Sequence, residues 1–239
     1  TNIYETLINN DFNFESYDFI SSKGIVTDYS FLLKNFNTYS ENSEVYEEKN
    51  DHEIFGTFLL KSELPLKKSL NKSNNFLKPI AQLRFSPTNG KNISTSGSRM
   101  DYGSIFSPNR IGRSDMVEKG NSLTLGLEFE KQNLKNDKIL GFNVGNIFKD
   151  KKNSSLPSVS KLDQTRSDIV GDIFYKFDDK FQINYNFSYD RDLKFSNYDA
   201  ITAKLGINKV ITTFDYITEN HELGDSEILT NNTEIKFSN

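Results

Sequence analysis

The sequence predicts an all-β fold and, within that class, an antiparallel transmembrane β-barrel segment of about ten to twelve strands. Apolar and polar residues alternate with a period of two over stretches of roughly 9–12 residues, the length of a tilted strand that crosses a hydrocarbon layer. Short and long connections alternate between these stretches. Only 35% of the residues are hydrophobic, yet the chain contains 20 Phe and 11 Tyr, which suits strands with one apolar face.

The strands are predicted in order along the chain. Residues 3–20 hold scattered apolar side chains and form either one long strand or two short ones, followed by a tight turn at residues 21–24. The clearest amphipathic strands are residues 123–130 and 181–189. Residues 37–51 and 67–75 are polar and are predicted to be loops. The strands after the first turn are residues 25–34, 54–64, 79–85, 123–130, 140–148, 173–177, 181–189, 201–207, 210–216 and 229–237.

The lengths of the connections favour a membrane barrel over a soluble sandwich. Successive antiparallel strands deliver their connections to opposite ends of the sheet, so alternating lengths place short turns at one end and long loops at the other. Outer-membrane barrels show this asymmetry, with short periplasmic turns and long outer loops. The short connections lie near residues 65–75, 132–137, 178–180 and 208–209, and the longer ones near residues 86–120, 149–166, 191–197 and 219–226.

The alternation also assigns side chains to the two faces of the predicted barrel. One set should face membrane lipid: Leu125, Leu127, Phe129, Ile183, Tyr185 and Phe187. The other set should face the lumen: Thr124, Glu128, Gln182 and Asn184. Aromatic residues at strand ends should form girdles at the level of the lipid headgroups: Phe148, Phe177, Phe181 and Tyr189.

Composition and motifs exclude several functional classes. The net charge of −4 offers no basic field for nucleic acid, and the absence of cysteine removes disulfides, thiolate nucleophiles and Cys metal sites. His52 and His221 lie far apart and are interpreted as solvated loop residues rather than metal ligands. The acidic pair at residues 178–179 is interpreted as a hairpin turn, and the serines at 104, 107 and 114 have no nearby histidine. We therefore expect no enzymatic activity, no cofactor and no metal.

The long connection at residues 86–120 carries the candidate functional residues. It contains apolar side chains that a freely solvated loop would not need, together with charges of both signs, so we expect it to pack within or over the lumen. Its arginines either bind phosphate groups or pair with Asp115 or Glu118, and pairing is the preferred reading. The candidate lumen and loop residues are Asn109, Arg110, Gly112, Arg113, Asp115, Glu118 and Gly120.

This connection and the strand after it resemble the signature loop of the LptD barrel domain, the lipopolysaccharide (LPS) assembly family also called organic solvent tolerance protein. The matching features are Ile105-Phe106, Asn109-Arg110, then Gly112, Asp115, Glu118, Gly120 and Leu125-Gly126-Leu127. The Asp-Arg pair of the family is absent, because Met116 follows Asp115, and so are its frequent cysteines. The resemblance implies conduction of LPS to the outer leaflet of the cell outer membrane. It also implies two partners, an LptE-like lipoprotein plug and a periplasmic LPS-bridge protein bound through an N-terminal domain.

The same reading predicts that residues 1–239 are part of one outer-membrane barrel domain. The chain begins at Thr1 without a signal peptide, so it is interpreted as a fragment that lacks the N-terminal periplasmic domain and the remaining strands. Two other functions fit the strand pattern and stay open at this point. One is a different outer-membrane barrel, a porin or passive transporter, and the other is a soluble glycan-binding β-sandwich.

Overall fold

The computed structural model describes residues 2–43, 50–87, 92–94, 99–220 and 225–235. It forms one antiparallel sheet of thirteen strands, with two short 3-10 helices at Ser104–Phe106 and Val159–Lys161. The predicted all-β class is thus confirmed. The strands are β1 (Tyr4–Glu15), β2 (Phe19–Ile20), β3 (Val26–Glu41), β4 (Asn50–Glu63), β5 (Leu66–Leu70), β6 (Ser73–Ser86), β7 (Gly120–Asn133), β8 (Lys138–Lys149), β9 (Ile169–Asp178), β10 (Phe181–Tyr189), β11 (Ser196–Ile207), β12 (Val210–Glu219) and β13 (Ser226–Ile235).

The strands form a meander. The hydrogen-bonded order is β1-β3-β4-β6-β7-β8-β9-β10-β11-β12-β13, while β2 pairs with β3 and β5 pairs with β6. These two short strands account for a total slightly above the expected number. Within the described residues, β1 and β13 each pair on one side only, so the sheet is not closed. No helix in the described residues is both long and apolar enough to cross a membrane.

Two stretches that were predicted to be loops contain strand. β3 continues to Glu41 and β4 begins at Asn50, so most of the predicted loop at residues 37–51 that is described belongs to the sheet. Residues 66–70 form β5, which pairs with the start of β6 at Ser73. The polar composition predicted a loop in both places, and that prediction was wrong. Polar side chains on the inner face of a barrel strand do not interrupt the hydrogen bonds between strands.

From Asp51 onward, where it was made, the predicted sorting of connections by length is confirmed. One end of the sheet carries the short turns at residues 134–137, 179–180 and 208–209. The opposite end carries the longer connections at residues 87–119, 150–168, 190–195 and 220–225. We call these the turn end and the loop end, and we name residues 87–119 loop A and residues 150–168 loop B.

The register places the predicted side-chain sets on opposite faces of the sheet. Leu127 of β7 pairs with Val144 of β8, which pairs with Gly171 of β9, which pairs with Phe187 of β10, so these residues share one row. Glu128 lies in the adjacent row, which points to the other face. Loops A and B pack on the face that carries Glu128, and we call it the inner face. The opposite face is the outer face, and many of its large apolar side chains are exposed.

Candidate functional site

Loop A is seated in a notch that two glycines form on the inner face. Gly126 of β7 and Gly145 of β8 are register partners. A Cβ atom added to Gly126 would lie 2.5 Å from Cζ of Phe106, and one added to Gly145 would lie 2.3 Å from Cδ1 of Ile105. The space that two side chains would occupy is therefore filled by the short 3-10 helix of loop A and by Tyr102, whose hydroxyl donates to Glu128 at 3.2 Å.

Around this notch the two loops and the sheet share one hydrophobic core. Its residues come from β3, β4, β8 and β9 as well as from both loops, and Ile105, Met116, Ile147, Leu162 and Val170 are essentially inaccessible to solvent. The loops also contact each other directly. The backbone N–H of Met100 donates to Oγ of Ser160 at 2.9 Å, and that of Ile93 donates to the carbonyl of Ser155 at 2.8 Å. The described part of loop A is therefore packed on the inner face, as the sequence predicted.

The Asn-Arg-x-Gly segment forms a tight turn that directs two residues into this core. The N–H of Gly112 donates to the carbonyl of Asn109 at 3.1 Å, and Gly112 has a φ of +72°, which favours glycine. The side-chain amide of Asn109 donates to the carbonyl of Arg113 at 2.7 Å and closes the turn. As a result Arg110 and Ile111 between them are buried, at 3% and 7% exposure.

A buried cluster of charges lies where loop A returns to β7. Nε of Arg110 lies 3.1 Å from one carboxylate oxygen of Glu118, and Nζ of Lys149 lies 2.6 Å from the other. The side chains of Arg110 and Glu118 are 0% and 1% exposed. Burial alone would raise the pKa of Glu118, but Arg110, Lys149 and Arg84 more than offset it and lower that pKa to about 2. Glu118 is therefore ionised at physiological pH.

Arg84 of β6 binds both ends of the segment from Pro108 to Glu118 to the sheet. Its Nη2 donates to the carbonyl of Glu118 at 2.7 Å and approaches the carbonyl of Pro108 at 3.4 Å. The same atom is 3.3 Å from the hydroxyl of Thr57 on β4. Arg110 adds a bond of 2.5 Å to the hydroxyl of Ser122 on β7. The cluster therefore joins loop A to four neighbouring strands, β4, β6, β7 and β8.

Among the remaining candidate residues, Arg113 is partly exposed, whereas Asp115 is buried. Arg113 and Asp115 form a bidentate pair, with both N–O distances at 2.7 Å, at the edge of the loop. Gly120 begins β7 with a φ of +117°, which a side chain would strain. The seven predicted residues thus lie in one segment, but Arg110 and Glu118 point into the core while Arg113 points outward.

Sequence reasoning missed Arg84, Lys149 and Arg99. Arg84 and Lys149 lie in strands that have inward-facing positions, and alternation could have placed them inside, but nothing local indicated Glu118 as their partner. Arg99 of loop A stacks 3.8 Å from the ring centre of Tyr198 on β11 and forms an ion pair with Glu219 on β12. Since Tyr198 and Glu219 are register partners, loop A reaches from β4 and β6 to β11 and β12.

The turn-end half of the inner face differs from the loop-filled half. Partly exposed charges of alternating sign cross it from strand to strand. Lys61 lies 3.2 Å from Asp28, and Lys78 lies 3.7 Å from Glu63 and 2.7 Å from Glu128. These side chains are 19–33% exposed. The inner face thus has a dry half filled by loops and a wet half lined by paired charges.

The structure also shows the surroundings of the residues that were considered as metal ligands or catalytic groups. His52 lies in β4, not in a loop as predicted, because β4 begins two residues earlier, and its Nδ1 lies 2.7 Å from the side-chain oxygen of Asn37. His221 lies outside the described residues. Asp178 accepts backbone N–H bonds from Lys180 and Phe181, which confirms the hairpin-turn interpretation. Among the residues that the structure describes, no group of three or more His, Cys, Asp or Glu side chains could hold a metal ion.

Comparison with known proteins identifies the family. Residues 5–237 match a family model described as LptD, LPS transport system D. No individual curated protein matches the chain. The match spans nearly the whole chain, and the thirteen-stranded antiparallel sheet with its sorted loops agrees with a barrel of that family. The chain therefore belongs to the LptD family and serves in the transport and assembly of LPS at the outer membrane.

Proposed function

We propose that this chain forms part of the outer-membrane barrel that conducts LPS to the outer leaflet, and that loop A is its built-in plug. The observation that carries the proposal is the position of loop A. It leaves the sheet at the loop end, folds back onto the inner face, and is held there by a buried ionic cluster and the glycine notch. An ordinary surface loop would not bury three cations and a carboxylate.

The division of the inner face supports a conduit that must open. The wet half offers paired charges and water to the sugars and phosphates of LPS, whereas the dry half is filled by side chains of loops A and B. Passage through the dry half would require these loops to move. Arg110 has no exposed side-chain surface in this arrangement, so its role here is to hold loop A, which agrees with the preferred ion-pair reading.

The proposed partners and location follow from the family. LPS is the cargo, an LptE-like lipoprotein would occupy the lumen beside the plug, and a periplasmic LPS-bridge protein would connect through an N-terminal domain. In the part of the chain that the structure describes, β1 and β13 each have one side without a partner strand, which supports the proposal that further strands complete the barrel. The long-loop end would face outward and the exposed apolar outer face would contact membrane lipid.

The test replaces Arg110 by Ala in the full-length protein. The change leaves Glu118 paired with Lys149 alone and loosens loop A, so we expect slower appearance of new LPS at the cell surface and leakage of large antibiotics. The amount of folded barrel in the membrane should stay normal, because the strand ladders do not involve Arg110. Arg113→Ala is the matched control, since it removes an arginine of the same loop whose side chain is 35% exposed. Equal surface LPS in both variants and the wild type would reject the plug.

A further inference from the structure

A basic groove lies at the loop end of the sheet, at the rim beside the loop-filled inner face. It runs along the rim of β6, β7 and β8 and has a volume of about 340 Å³. Four lysines and one aspartate line it, an excess of three positive charges in a chain whose net charge is −4. We call it the rim groove. Its charged residues are Lys119, Lys149, Asp150, Lys151 and Lys152.

The lysines that line the rim groove outnumber its one acid, Asp150. Asp150 accepts a hydrogen bond of 3.2 Å from the side-chain amide of Asn121, a neutral partner. Lys149 joins the groove to the buried cluster, where Arg84, Arg110 and Lys149 outnumber the single carboxylate of Glu118. Lys151 and Lys152 are exposed. With Lys149 counted once, the groove and the cluster behind it hold six cations and two carboxylates, which raises the local attraction for an anion.

The wall below the lysines is apolar. Phe85, which lines the groove, is 53% exposed and pairs in register with Asn121 at the end of β6. It continues down the outer face into Leu83, Leu125 and Phe148, which are 55%, 43% and 37% exposed. A ligand that fits this surface carries negative charge at one end and apolar chains at the other.

We propose that the rim groove binds the phosphate of a glycolipid in the outer leaflet, with its acyl chains lying against the outer face of β6–β8. Lysine ammonium groups bind phosphate as point charges, and the exposed apolar row below them lies where acyl chains would run. The proposal rests on the proposed function in one respect, that the loop end of the sheet faces outward. It names a different surface, because the plug and the wet half lie on the inner face.

The experiment measures lipid retained by the full-length protein in detergent, by native mass spectrometry. The probes are lipid A with both phosphates and the same lipid with its phosphates removed. We expect the double substitution K151Q/K152Q to lower retention of the phosphorylated lipid about thirtyfold, from the typical effect of two lysines near a charged membrane surface. The matched control is K135Q/K180Q, which removes the same charge from exposed turns at the opposite end. Because other parts of the protein also bind this lipid, the difference between the two variants is the measured quantity.

Three outcomes would overturn the proposal. The first is equal retention by K151Q/K152Q and the control. The second is an equal loss of phosphorylated and phosphate-free lipid in K151Q/K152Q. The third is displacement of the lipid by millimolar inorganic phosphate, which would make the groove a site for free phosphate. Failure of the proposed function would appear elsewhere, as unchanged surface LPS after the protein is depleted from cells, a measurement to which the groove does not contribute.

Discussion

Replacing Gly145 by Ala should unseat loop A. The new Cβ would lie 2.3 Å from Cδ1 of Ile105 and 3.1 Å from the carbonyl oxygen of Leu125. Since carbon atoms pack at about 3.5–4.0 Å, Ile105 would have to move by more than about 1 Å. Ile105 is 0% exposed and lies in a 3-10 helix, so no open space receives it. Overpacking of this kind costs about 1–3 kcal/mol. The free energy that holds loop A on the inner face would fall by that amount.

The assay is limited proteolysis of the full-length protein within residues 99–119, compared with Gly56→Ala. A Cβ at Gly56 on β4 would have no heavy atom within 4 Å, so this control should change stability by less than about 0.5 kcal/mol. We expect faster cleavage in Gly145→Ala and wild-type cleavage in Gly56→Ala. A gel assay for the folded barrel shows whether the strands still form.

A second substitution separates the clash from a general loss of stability. Ile105→Val removes the Cδ1 atom that the new methyl group would meet. The double variant G145A/I105V should therefore be cleaved more slowly than Gly145→Ala alone, a non-additive rescue. Cleavage of Gly145→Ala at the rate of Gly56→Ala, or a double variant no better than the single one, would refute the notch.

Two other predictions follow from the charge cluster and the outer face. Glu118→Gln leaves three buried cations without their carboxylate, and should destabilise the seat of loop A by about 3–5 kcal/mol. The folded pKa of Glu118 is lowered from 4.5 to about 2, so its contribution is fully present above about pH 4.5 and is lost as the pH falls toward 2. The protection of loop A from proteolysis, measured against pH, should thus fall in that window in the wild type. In Glu118→Gln it should not change with pH. A wild-type protection that does not change with pH would contradict the pairing. Leu125→Arg should cost about 2–4 kcal/mol if Leu125 faces the lipid midplane, measured by unfolding of the barrel in vesicles, and Asn184→Arg at a partly exposed position of the predicted lumen set is the contrast. A cost of less than about 0.5 kcal/mol for Leu125→Arg would place that residue outside the lipid belt.

The local pattern of the sequence already determined the class of the fold, most strand positions and the assignment of side chains to two faces. Alternation specifies a strand without knowledge of its neighbour, since successive side chains point to opposite faces. The lengths of the connections determined which end of the sheet carries the loops. The family resemblance rested on the segment from Ile105 to Leu127, and the match over residues 5–237 bears it out.

The tertiary structure decided what these local features contact. Gly126 and Gly145 are ordinary small residues in sequence, and only their pairing across β7 and β8 produces a notch for Ile105 and Phe106. Glu118 could pair with several cations, and only the folding of loop A onto the inner face places Arg110 and Lys149 beside it. Alternation depends on neighbours two residues apart, whereas these contacts join residues on separate strands and loops. Their partners are set by register and by the path of loop A, which no local pattern encodes.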